Sequence, residues 1–403
     1  MSTLRWLATS ERERQQAMEL ARALQQKESR DELGIGSVRD AIAELLFPGT
    51  STLHTRARYF LLIPWAYQQA VARRGTKSVS ARVRDAEVAL IAALDASDDK
   101  RGLIGRDAGA ALQRMPSTLY WQGLYVWGLR RMPGSQALIE RMLGRRGAVV
   151  ARDDDGDALD TDTLSVWNLS LPMAPADHPL GATFALSYAE AEFLAERLRC
   201  EPGTTSSMLA TLSTMGTDHE AAAFAWDHPD LAVLSDTQRE IVEQARRFSL
   251  LMHGAAWIYN VILSSMDERG ALEAGYRASF EQWTAEFAEH GDAIQTWDLD
   301  ELWRVTALAG VRIPPRTQRF VIDWLAAVRH HEPANLVNRP DVRDLIIQRE
   351  RAMKGPNARS ANNRALKQWG GASGTAALDY RWSTARLLLN DIREGLECAD
   401  APH

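Results

Sequence analysis

The sequence predicts an all-α protein, or nearly so, built from two to three packed helical subdomains. Apolar residues recur at i, i+3 and i+4 through most of the chain, strand-like alternation is scarce, and the periodic runs are separated by short Pro/Gly breaks. At 403 residues the chain also exceeds the ~250–300 residues at which a single hydrophobic core stops growing. The helical periodicity covers Trp6–Gln26, Val38–Leu46, Thr52–Arg74, Ala81–Leu94, Tyr188–Leu198, Thr237–Ser265, Leu272–His290, Arg316–His330 and Leu378–Leu396, and another helix starts over Pro116–Thr118.

Composition sets the boundaries. Residues 1–144 form an N-terminal helical region. Residues 145–180, with six aspartates from Asp153 to Asp162 and prolines at 172, 175 and 179, read as an acidic connector. A middle helical region spans 181–332, and residues 333–403 hold an Arg/Asn-rich segment and a last helix. DDDGDALDTD lacks the alternate oxygen ligands and distal Glu of a calcium loop, so a solvated loop is expected there.

Hydrophobic content of 45% and charged content of 25% are ordinary for a globular chain. No stretch approaches the ~18 consecutive apolar residues of a membrane span, and the N-terminus lacks the apolar run of a signal peptide. A cytoplasmic protein without membrane association is expected. Cys200 and Cys398 are far apart and carry no metal-ligand spacing, which argues against disulfide and zinc chemistry. The net charge of −6 argues against coating of nucleic acid by bulk electrostatics but leaves room for a local basic groove. Lysine occurs only at Lys27, Lys77, Lys100, Lys354 and Lys367, so most cations are guanidinium forks suited to phosphate.

Three blocks carry the candidate chemistry. In Leu33–Trp65, Asp40 closes a glycine-containing turn, Pro48 and Gly49 stop one helix, and Thr50, Ser51 or Thr52 cap the next, whose free N–H groups form a phosphate seat. Ser51, His54, Arg56, Arg58 and Tyr59 are the candidate binding residues on it, with Arg56 and Tyr59 at i+3 offering a phosphate grip beside a stacking ring. In Arg101–Gly134, Arg106 and Asp107 enter a helix after Gly102 and Gly105, and Tyr120, Trp121, Tyr125 and Trp127 follow. Tyr120 and Trp121 could stack an extruded base or simply fill the core. In Ala358–Trp382, Arg359, Asn362, Arg364 and Trp369 mix phosphate and base-edge donors ahead of GGASG, and Asp379, Tyr380, Arg381 and Trp382 come next. GGASG lacks the Lys-Ser/Thr of a phosphate loop, and GxSxG and HExxH are absent. Asp98-Asp99-Lys100 matches a short nuclease pattern without the strands that present it. No metal or other cofactor is called for.

The strings DELGIGSVRDAIAELLFPGTSTLHTRARYF, GLIGRDAG, PSTLYWQGL, LKQWGGASG and LDYRW resemble an uncharacterised bacterial family found in phage-defence neighbourhoods, over nearly the whole chain. That family looks like the one that contains a defence DNA glycosylase removing glucosylated hydroxymethylcytosine from T-even phage genomes. The resemblance implies a metal-independent hydrolase of N-glycosyl bonds. Its partner would be double-stranded phage DNA bearing the modified base, and other defence proteins are possible partners. It fixes no catalytic position. Cleaving an N-glycosidic bond builds positive charge at the sugar and needs a carboxylate beside it, so Asp40, Asp107 and Asp379, the acids inside the distinctive strings, are the candidates. Leu33–Gly36 (LGIG) and Leu308–Val311 (LAGV) both depart from the helix-hairpin-helix turn, which leaves that scaffold open. The alternative is a non-catalytic nucleic-acid-binding subunit of a multi-gene defence system; a partner-binding helical protein is a third reading.

Overall fold

A computed structural model describes residues 31–73, 75–146 and 165–398. Among these residues the architecture is all-α, with no strand beyond an isolated bridge between Arg130 and Trp167. In chain order the helices are α1 (Gly36–Leu46), α2 (Tyr59–Ala72), α3 (Val79–Ala96), α4 (Pro116–Val126), α5 (Gln136–Arg146), α6 (Tyr188–Cys200), α7 (Met208–Leu212), α8 (Asp236–Met266), α9 (Gly270–Gln295), α10 (Leu299–Leu308), α11 (Pro315–His330), α12 (Pro340–Lys354), α13 (Asn363–Lys367) and α14 (Trp382–Glu397). None among the described residues is long and apolar enough to cross a membrane.

Contacts group the chain into two compact units that do not follow sequence order. Of the described residues, one holds 31–42 together with Glu243–Leu378, and the other holds those within Ala43–Val242 and 379–398. The boundaries drawn from composition mark changes of residue type, whereas these units mark where side chains meet.

In the unit starting at Ala43, α2 is the central helix. Every residue from Tyr59 to Tyr67 is buried, the pattern of a helix that is apolar all round. It packs on α3 and α4, α5 packs on α3, and α14 lies along α6. Glycines allow two of these approaches: a Cβ on Gly395 would stand 2.7 Å from Ala191 on α6, and one on Gly123 would stand 2.6 Å from the Gly49 carbonyl oxygen. The first turn of α6 carries a full capping box, in which Ser187 receives the Glu190 N–H and Glu190 receives the Ser187 N–H. Of the expected acidic connector, the aspartates lie outside the described residues. Its later part packs into this unit: Arg131 N donates to the Val166 carbonyl, and the Trp65 indole donates to that of Pro172 at 2.7 Å.

The other unit is organised by tryptophans with satisfied indoles. Trp283 and Trp324 donate to the Leu250 and Leu251 carbonyls of α8, and Trp297 donates to Gln244 Oε1. All three side chains are fully buried.

Several sequence expectations are corrected. The Thr52–Arg74 helix starts only at Tyr59; Ser51–Arg58 is turned, and Thr50, Ser51 and Thr52 cap nothing, because Arg58 precedes the helix with no side-chain cap. Arg106 and Asp107 lie in turns ahead of a short 3₁₀ segment at Gly109–Ala111, not at a helix start. Asp40 is the fifth residue of α1, not the close of a turn. The last helix begins at Trp382, after Tyr380 and Arg381 take left-handed conformations with φ of 52° and 73°. Helices α5, α10 and α12 were not anticipated, while the expected Trp6–Gln26 helix lies outside the described residues.

If the close approach at Gly123 holds α4 against the Pro48–Thr50 turn, Gly123→Ala should cost about 1–3 kcal/mol by overpacking. Gly216→Ala, where nothing lies within 4 Å of the added Cβ, serves as a control. Urea unfolding midpoints of the two variants should separate accordingly, and equal midpoints would refute the packing argument.

Candidate nucleic-acid interface

The turned segment Ser51–Arg58 is part-buried around His54, Ala57 and Arg58, so its backbone groups need partners other than a helix ladder. They find them in side chains from far along the chain. The Tyr120 hydroxyl accepts from Thr55 N at 2.8 Å and Arg56 N at 3.2 Å and donates to the Arg56 carbonyl at 3.0 Å. Asp391 on α14 accepts from Ala57 N at 2.7 Å and, with both oxygens, from Arg56 Nε at 3.0 and 3.1 Å. Burial pushes the Asp391 carboxyl up, and Arg56 offsets part of that rise. The Arg56 guanidinium also reaches Asp99 and the Arg101 carbonyl.

The same segment fixes a surface loop. Thr55 Oγ1 donates to the Gly102 carbonyl at 2.6 Å, the Tyr59 hydroxyl accepts from Ile104 N at 3.0 Å, and Arg84 donates to the carbonyls of Ala110 and Leu112 at 2.8 and 2.9 Å. Gly102 and Gly105 supply the left-handed turns, with φ of +78° and +83°. Held from beneath, the loop presents Arg101 (69% exposed) and Arg106 (55%), each with a single acidic partner, Glu220 at 3.2 Å and Asp95 at 3.1 Å. Arg114 and Asp107 are exposed and engage no partner among the described residues.

The remaining candidates divide as follows. His54 is buried, stacks on Tyr120 at 4.0 Å, and meets the Leu119 carbonyl through Nε2 at 3.1 Å; burial lowers its pKa to about 4, so it is neutral. A proton on Nε2 then serves that carbonyl. Arg58 is buried and spent on Thr183 and on Glu190 at 2.8 Å. Ser51 accepts from Leu53 N at 3.3 Å. Trp121 donates to the Gly134 carbonyl and Trp382 to that of Ala222. Arg381 donates to Glu44 at 3.0 Å and to the Thr50 carbonyl at 2.8 Å. Asp379 is occupied as a cap, accepting from Arg381 N and Ser383 N at 3.1 Å each. Tyr59, Tyr120, Trp382 and Tyr380 are at most 1% exposed and Trp121 is 9% exposed, so these rings have little open face for a base.

Five candidates belong to the other unit. Asp40 pairs with its neighbour Arg39 at 3.0 Å. Arg359 joins a buried cluster, bonding Glu32 at 2.6 Å and Ser373 at 3.1 Å, and Trp369 donates to Ser373 Oγ. Asn362 caps α13, and Arg364 is exposed. Among the described residues no three His, Cys, Asp or Glu side chains gather at metal-holding distance.

Sequence reasoning missed Asp391, Arg84, Arg114 and Glu87. Asp391 is one acid among several on an amphipathic helix, and nothing in LLLNDIRE distinguishes it. Glu87 is 1% exposed and accepts from the Ser117 N–H at 2.7 Å and hydroxyl at 2.9 Å; burial raises its pKa from 4.5 to about 7.

A family model, described as a family of unknown function (DUF6361), matches residues 1–395, and the chain belongs to that family. No curated protein and no solved structure matches it.

Two outcomes follow from this geometry. Tyr120→Phe strands two part-buried donors and a carbonyl and should cost about 3 kcal/mol or more in denaturant unfolding, at roughly 1–3 kcal/mol per orphaned group; a loss near zero would mean that Ser51–Arg58 finds other partners. For Glu87, the unfolded chain releases its proton first as pH rises from 4.5 towards 7, so this group's contribution to stability falls by about 3 kcal/mol across that window. Glu87→Gln should therefore gain stability relative to wild type as pH rises, measured by urea titrations at fixed pH values. His54 works the other way, destabilising as pH falls from 6.5 towards 4 in both proteins, and cancels in the comparison.

Proposed function

From membership of a family with no assigned activity, we propose that the protein acts on DNA, with the Asp99–Arg114 loop as its contact surface, as an N-glycosylase of modified cytosine. The observation that carries this reading is the state of Asp107. Of the three candidate acids, Asp379 is consumed in a helix cap and Asp40 lies against Arg39, whereas the Asp107 carboxylate engages no partner among the described residues. It stands beside exposed Arg106 on a loop fixed by Thr55, Tyr59 and Arg84. A loop held by these hydrogen bonds, with a carboxylate and guanidinium groups turned outward, supplies two of the group types that cleaving an N-glycosidic bond uses. The arginines hold the flanking phosphates, and the carboxylate stabilises positive charge developing at the sugar or activates water against it. The preference for glucosylated hydroxymethylcytosine comes from the resemblance of the sequence strings, not from the loop.

One observation favours a second reading, a nucleic-acid-binding protein without catalysis. The candidate aromatics of this unit are covered, so an extruded base has no ring face waiting for it.

The two readings separate in one experiment. Purified protein is incubated with glucosylated, hydroxymethylated and unmodified DNA, and the products are treated with alkali. The glycosylase reading expects strand breaks on the glucosylated substrate alone, lost in Asp107→Asn with DNA retention unchanged. Arg106→Ala and Arg114→Ala should each weaken binding and lower the salt slope by about 1. Binding without base release would leave the second reading, and no DNA retention at low salt would end both.

A further inference from the structure

Helices α8 and α9 enclose a cleft of about 240 Å³ that plays no part in the loop described above. Arg246 and Arg247 both face it from α8, but their charges are handled differently. Arg247 is neutralised by Glu243 at 2.7 Å and lies 3.8 Å from Glu301. Arg246 has no acidic partner among the described residues; its contact is the His290 ring, with Nη2 at 3.0 Å from Nε2 and 3.5 Å from Nδ1. Arg246 thus directs one Nη2 N–H at the His290 ring, while its Nε and Nη1 groups engage no partner among the described residues. Across the cleft, Glu289 and Asp292 are exposed, and their carboxylates likewise engage no partner among the described residues. Leu250 and Ile294, both buried, supply apolar lining.

A cation without an acidic partner and two acids without a basic one thus share one small cleft. Opposite charges that fail to pair directly leave room for a molecule that pairs with both. The volume is below the roughly 300 Å³ at which drug-sized ligand pockets begin, which points to a small molecule and not a nucleotide. We propose that this cleft binds a small ω-amino carboxylate, its carboxylate on Arg246, its ammonium between Glu289 and Asp292, and its methylene spacer against Leu250 and Ile294. Plain anions are opposed by the two acids and plain amines by Arg246, so the site selects for both charges on one molecule.

Calorimetric titration of the full chain with 4-aminobutyrate, 5-aminovalerate, butyrate and butylamine tests this. One of the two amino carboxylates should bind roughly tenfold or more tightly than either singly charged probe. Arg246→Gln and the double variant Glu289→Gln/Asp292→Asn should each remove that advantage. The second variant changes only exposed side chains and keeps the test valid if the first fails to fold. Equal binding of butyrate or butylamine, no binding of either amino carboxylate at millimolar concentration, or wild-type affinity in the double variant would overturn the proposal.

Discussion

A part-buried stretch of irregular backbone must have its polar groups met, and in the unit starting at Ala43 much else follows from how that is done for Ser51–Arg58. A helix would have satisfied these groups from within. Here the work falls to the Tyr120 hydroxyl and the Asp391 carboxylate, which between them meet three consecutive N–H groups and a carbonyl. With the backbone so held, Thr55, Arg56 and Tyr59 can turn their side chains to the neighbouring loop and fix it in turn. A charge-assisted contact to a buried carboxylate is costly to break and poor at tolerating replacement, which suits a scaffold more than a ligand site.

The unit containing Glu243–Leu378 solves a similar problem around Leu33–Gly36. Arg349 donates to the Leu33 and Gly34 carbonyls at 2.7 and 2.9 Å, while Asp31 takes the N–H groups of Ile35 and Gly36. Below it, Glu32 pairs with Lys354 and Arg359, and Glu350 takes the Tyr259 hydroxyl together with the N–H groups of Arg359 and Ser360. Burial brings the Lys354 ammonium down to about 8. In both units, then, several polar residues in the distinctive strings hold loops in place, while the loop at Asp99–Arg114 keeps Arg101, Arg106, Asp107 and Arg114 turned outward.

The fold class was legible because long helices with one apolar stripe announce themselves. The span from Thr237 to Ser265 was read within a residue at each end of α8. Boundaries failed where a distant side chain overrode local preference. Ser51–Arg58 contains ordinary helix formers, and only Tyr120 and Asp391, roughly 65 and 334 positions away, make the turned path the better one. Helix α10 was missed because it is only 10 residues long, and α12 because charged residues fill most of its surface between its few apolar positions. The candidate site was legible only as residue types. That Arg58 would be spent on Glu190 and Asp379 on its own helix start, while Arg114 and Asp107 stay free, depends on contacts that periodicity does not encode.

The bond between Ala57 and Asp391 spans 334 positions, and it sets a timetable as well as a structure. A ribosome adding about 5–20 residues per second needs on the order of 20–60 s to travel that distance. For that interval the Ser51–Arg58 segment exists without the carboxylate that satisfies its Ala57 N–H. Nor does the rest of the chain finish sooner by itself, since the Leu33 carbonyl waits for Arg349 in the same way. A chain made from its N-terminus therefore carries these partly made cores until α14 has been added.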